Sequence, residues 1–164
     1  MKINITRPLI FILVAVTLVF TAACSKKTES TAITKTAKHE HRPPHGGTPV
    51  VLGEEAFHLE LVLDAATGKL SAYVLDGELE NFVRAAMPSL EIVATVAGVP
   101  QSLSLKPIAN PATGETVGDT SLFETQADWL KTIKEFDAMI PAIVVRGTPF
   151  KDVKFNFPKG NDTD

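Results

Sequence analysis

From Thr48 onward the chain is written in a period of two, and this pattern constrains its fold more than any other feature. In AFHLELVLD, residues 56 to 64, Phe57, Leu59, Leu61 and Leu63 alternate with His58, Glu60, Val62 and Asp64. Successive side chains of a strand point to opposite faces, so this spelling predicts a half-buried strand. Ala65-Ala66-Thr67-Gly68 supplies a turn, and KLSAYVL (69 to 75) returns as a hairpin partner with Leu70, Ala72 and Val74 inward. PVVL (49 to 52) pairs back through Gly53, Glu54 and Glu55, which sets His58 opposite Val50.

The alternation recurs further along. SLEIVATV (89 to 96) and QSLSLKPI (101 to 108) form a second hairpin around Gly98 to Pro100, SLFETQ (121 to 126) is a strand, and AIVVRG (142 to 147) and DVKFNF (152 to 157) are two more. NFVRAAM (81 to 87) is a strand or extended piece, and ANPATGETVGDT (109 to 120) has no apolar period and predicts a surface loop. Trp129, Ile133, Phe136 and Ile140 recur at i, i+4, i+7 and i+11, which predicts one short helix ended by Pro141. Seven or eight short strands with one helix predict an all-β fold. Its expected form is an antiparallel β-sandwich of immunoglobulin-like architecture over residues 47 to 160, with an open barrel as the alternative and a disordered C-terminus at 161 to 164. No cysteine pair supports a true immunoglobulin domain.

The first 23 residues have the parts of a secretory signal: Lys2 and Arg7, an apolar run from Pro8 to Phe20, then Thr21, Ala22 and Ala23. The run is short for a membrane span. Small residues followed by Cys24, the only cysteine, resemble the lipobox of bacterial lipoproteins, although Thr21 stands where that family usually has an aliphatic residue. The resemblance implies lipid modification of Cys24, and Ser25 after it implies the outer membrane, facing the periplasm. An ordinary cleaved signal followed by a free thiol is the alternative. Residues 24 to 46 then read as a tether, because SKKTESTAITKTAK is too polar to offset the entropy of ordering. Residues 46 to 164 carry 17 acidic against nine basic side chains, a balance that argues against nucleic-acid binding.

No nucleophile elbow, phosphate loop or dinucleotide fingerprint occurs, and all four histidines lie between residues 39 and 58, so the expectation is a protein that is not an enzyme. Metal binding is the stronger chemical reading. Imidazole suits Zn²⁺, Cu²⁺ and Ni²⁺, and His39, His41 and His45, with Glu40 as an oxygen donor, sit in a segment able to wrap a cation. The HxHxxxH spacing is not that of a closed structural zinc site. His58 and Glu60 share one polar strand face and read either as an exposed pair or as further ligands, the latter only if Gly46 and Gly47 fold the tail back over the sheet.

HGGTPVVLGEEAFHLELVLDAATGKLSAYVLDG resembles a segment of small bacterial lipoproteins and of periplasmic adaptors of heavy-metal efflux pumps. The matching residues are His45, Gly46, Gly47, His58, Glu60, Leu61, Val62, Tyr73, Val74, Leu75 and Asp76. The resemblance implies a β-rich periplasmic module associated with metal efflux and brings His45 and His58 forward together as ligands. The long helical hairpin of an adaptor is missing, so membrane fusion is not implied. The expected protein is a lipid-anchored lipoprotein that binds or relays a divalent transition metal, with efflux components as partners. The alternative is an interaction module whose β-domain docks an envelope protein and whose histidines are incidental.

Overall fold

A computed structural model describes residues 42 to 162. Cys24, the tether to residue 41, His39, Glu40 and His41 lie outside the described residues, as do the last two positions.

The fold is all-β and antiparallel. Its strands are β1 (Thr48–Leu52), β2 (Phe57–Asp64), β3 (Lys69–Asp76), β4 (Leu90–Val96), β5 (Val99–Ile108), β6 (Leu122–Gln126), β7 (Phe136–Val145) and β8 (Thr148–Phe157). They form one sheet in the order β1-β2-β3-β6-β5-β4-β7-β8, curled nearly into a barrel. The expected division into two immunoglobulin-like sheets gives way to this continuous one. The ten-residue strand β5 is the reason: Val99 to Leu105 pair with β4, while Lys106 to Ile108 pair with β6. One strand thus turns the corner that a sandwich would leave unbonded.

The inward residues of the alternation fill the interior. Leu59, Leu61, Leu70, Ala72, Val74, Leu90, Ile92, Leu105 and Phe123 are buried in one apolar cluster. At roughly 1.5–3 kcal/mol for each fully buried large side chain, this cluster is the main favourable term in folding. The seam between β1 and β8 is closed by the chain's own C-terminal turn. Asn161 acts as a strand partner for Val51, accepting its N–H at 2.7 Å and donating to its carbonyl at 3.1 Å. Thr48 donates its hydroxyl to the Pro158 carbonyl at 3.1 Å. At Gly160 a Cβ atom would stand 2.3 Å from the Pro49 carbonyl oxygen, so only glycine lets the turn approach β1 this closely.

Two local expectations are corrected. The β1–β2 turn takes four residues, Gly53 to Ala56, which places His58 opposite Val51 and Leu59 opposite Val50. A one-residue slip exchanges faces, and this register puts Val50 with Leu59 in the core. The helix expected between Trp129 and Ile140 is a 3-10 turn at Asp128–Lys131 followed by β7. Phe136 and Ile140 do share a face, but strand alternation through Ala138 places them there. Pro141 interrupts the ladder opposite Asp152 without ending the strand, and pairing resumes at Ala142 and Lys151.

Candidate functional site

The site lies on the sheet face turned away from the core. Cross-strand register aligns Pro49 of β1, Glu60 of β2, Tyr73 of β3, Leu122 of β6 and Ile108 of β5 along one row. Beyond the end of this row the chain from Phe82 to Ala85 adds a short extended piece, with Val83 donating to the Val74 carbonyl and Ala85 to that of Thr120. Val83 and Ala85 enter the core cluster. The alternating residues Phe82 and Arg84 line a cavity of about 650 Å³ together with His45, Tyr73, Ile108 and Leu122.

Glu60 is the organising residue. Its side chain is fully buried, although its position in the alternation predicted an exposed face. A buried carboxylate is costly unless it is hydrogen-bonded, and the His-Gly-Gly segment supplies the donors. The backbone N–H groups of His45 and Gly47 donate to Oε1 at 2.7 and 2.9 Å, while His45 Nδ1 lies 2.7 Å from Oε2. Successive backbone N–H groups converging on an anion form a nest. Gly46 has φ 67°, the left-handed conformation that this reversal requires. At Gly47 a Cβ would stand 2.6 Å from the Leu61 carbonyl oxygen and 2.8 Å from Glu60 Cγ, so the segment reaches the carboxylate only as glycine.

An ionised carboxylate only accepts, so a neutral His45 ring meets Oε2 through its Nδ1–H and carries its lone pair on Nε2. The ring is further held by stacking on Tyr73, with centroids 4.0 Å apart and planes at 18°, and by Phe82 at 5.8 Å. His45 is nevertheless 37% exposed and lines the cavity. Burial, followed by the charge of Glu124, raises the Tyr73 phenol above its ordinary pKa. Glu124 lies further along this face, accepting from Lys69 at 3.0 Å and from Ser71 at 2.8 Å.

His58 is also buried rather than exposed. Its Nδ1 lies 3.2 Å from the Asp76 carbonyl oxygen. Asp76 in turn caps the following turn, its carboxylate accepting from the Glu80 and Asn81 backbones and the Asn81 side chain. The Gly46-Gly47 hinge therefore folds back over the sheet as metal binding required, but it delivers His45 to Glu60. Among the described residues no group of three or more His, Cys, Asp or Glu side chains is placed to hold a metal ion. His45, Gly47, Glu60 and Tyr73 form one network, and His58 with Asp76 forms a second along the same two strands.

Several cavity residues were not singled out in the sequence. Phe82 and Arg84 alternate with the apolar Val83 and Ala85, a two-residue signal too short to read. Glu115 and Ser121 come from or beside a loop without periodicity and meet only in three dimensions, Ser121 donating both N–H and O–H to Glu115 Oε1 at 3.1 and 2.7 Å.

The class these features define is a nearly closed antiparallel β-domain bearing a carboxylate-oriented histidine on its outer face. Comparison with known protein families, curated proteins and solved structures found no match.

Proposed function

We propose that this chain is a periplasm-facing lipoprotein that binds or relays a divalent transition metal, with His45 Nε2 as the fixed ligand. The observation that carries this reading is the 2.7 Å contact between His45 Nδ1 and a fully buried Glu60. Histidines that bind metals usually donate their other ring N–H to a carboxylate or carbonyl, which fixes the tautomer and raises ligand basicity. Glu60 fits that supporting role, since its two oxygens already accept from His45 and Gly47. His58 is likewise assigned to the framework, through the Asp76 carbonyl. The remaining ligands come from His39 and His41, which precede His45 by six and four residues, with Glu40 as an oxygen donor. Zn²⁺, Cu²⁺ and Ni²⁺ all suit such a set. Anchoring through Cys24 would keep this site at the membrane, and heavy-metal efflux components are the partners proposed for the relay.

Calorimetric titration of the mature protein with each ion tests the reading. Micromolar or tighter binding that is lost in His45→Ala and weakened in the His39→Ala/His41→Ala double variant supports it. Binding unchanged by either variant, or none tighter than about millimolar, overturns it. The anchor is tested separately: Cys24→Ser releases the protein from membranes, and persistent membrane association of a correctly cleaved variant contradicts lipidation.

The alternative reading, docking of an envelope protein, draws on the exposure of Phe82 and Ile108 beside the cavity. Co-purification of a specific partner, lost in Phe82→Ser and indifferent to chelators, would favour it.

A further inference from the structure

The cavity beside His45 holds a second carboxylate that the metal reading does not use. Glu115 is only 8% exposed, yet among the described residues it has no cationic partner at ion-pair distance. Its two donors, the Ser121 N–H and O–H, both fall on Oε1. Glu60 receives donors on both oxygens, whereas Oε2 of Glu115 accepts from none of the described groups and is not sealed from solvent, so it is open to a donor from outside. Arg84, a cation that lines the same cavity, is bonded to other partners. Its guanidinium pairs with Asp119 at 3.3 Å and donates to the Thr113 carbonyl.

Arg84 aside, both His45 and Asn81 turn acceptors toward this space. His45 presents Nε2, because its Nδ1 is bound to Glu60. Asn81 donates one amide N–H to Asp76 at 2.7 Å, and its amide oxygen is an acceptor on the cavity lining. The apolar wall includes Phe82, 49% exposed, and Ile108, 37% exposed, with Tyr73 and Leu122 between them. A volume of about 650 Å³ is that of a small-molecule pocket rather than of a bare ion site. Acceptors that include a carboxylate oxygen open to a new donor, set against aromatic faces, match a ligand that carries positive charge on an apolar body.

We propose that this cavity is a binding site for a small organic cation, an ammonium group joined to an aromatic or aliphatic body. The ammonium sits against Glu115 and the body lies along Phe82, Ile108 and Leu122. This proposal does not depend on a metal at His45.

The test uses chelator-treated mature protein and three probes of matched shape: phenethylammonium, neutral 2-phenylethanol and anionic 3-phenylpropionate. Titration calorimetry should show phenethylammonium binding at least about tenfold more tightly than either analogue, a preference that Glu115→Gln removes. Equal binding of all three, preference for the anion, retention of the cation preference in Glu115→Gln, or no binding of phenethylammonium would each overturn the proposal. A second measurement on the unaltered protein stands even if the variant does not fold. Phenethylammonium should shift the backbone amide signals of Thr113, Glu115 and Ser121, and shifts confined to other parts of the barrel would refute the site.

Discussion

Replacing Glu60 by Gln separates the two tasks assigned to this carboxylate. The amide oxygen of the new side chain can take the place of Oε1 and still accept from the His45 and Gly47 backbones, now without full charge. The amide nitrogen then faces His45 Nδ1, where the native carboxylate accepts at 2.7 Å. Two donors cannot share that contact, so the imidazole must move its proton to Nε2 and accept at Nδ1. Hydrogen bonds to charged groups contribute about 1.5–3 kcal/mol and neutral ones about half that. Three weakened bonds would together cost about 2–4 kcal/mol, reduced to roughly 1–3 kcal/mol because the N-terminal segment can detach into water. Urea denaturation measures this loss, and long-range proton–nitrogen correlation spectra of the imidazole read the tautomer. Metal affinity should fall about 10–100-fold, the usual effect of removing a carboxylate that supports a histidine ligand. A Glu60→Gln protein with the native tautomer and undiminished stability would refute the reasoning.

Other consequences follow from the same geometry. Gly47→Ala forces a Cβ against the Leu61 carbonyl and Glu60 Cγ, and should destabilise the protein by about 1–3 kcal/mol in urea titration while detaching His45 from the sheet. Asn161→Ala leaves the Val51 N–H and carbonyl without their bonds at the β1–β8 seam, so hydrogen exchange at Val51 should accelerate and stability should fall by about 1–3 kcal/mol. Tyr73 is the only tyrosine, so phenolate absorbance reports it alone. Burial first and Glu124 second hold its proton on, so it should ionise above the ordinary tyrosine value, and Glu124→Gln should lower that midpoint. By linkage, a phenol whose folded pKa is raised opposes folding once pH exceeds its unfolded value, so this site should destabilise the protein increasingly as pH rises through that range.

Much of the fold was legible because period-two alternation is a local signal. Leu59 and Leu61, then Leu70, Ala72 and Val74, take their places in the core as their spelling predicts. The same alternation misjudged the opposite face. His58 and Glu60 are polar by sequence, and nothing local in β2 reveals that the His-Gly-Gly segment folds back onto Glu60, or that the turn after Asp76 approaches the β1–β2 turn closely enough for a Cβ at Gly77 to stand 2.4 Å from the Glu55 carbonyl. The helix signal at Trp129 failed for a related reason. A strand preceded by a single 3-10 turn can imitate a 3.6-residue period over four positions. The cavity was not legible at all, since Arg84, Glu115 and Ser121 come from separate segments that only the curled sheet brings together.

The central claim is that Glu60 fixes His45 with Nε2 available to a transition metal. Nitrogen-15 spectra of the His45 ring during Zn²⁺ titration test it most directly. The expected result is a proton on Nδ1 before metal is added, retained throughout, and a large shift at Nε2 as Zn²⁺ binds. A ring protonated at Nε2 in the free protein, or an Nε2 signal that saturating Zn²⁺ leaves unmoved, would contradict it.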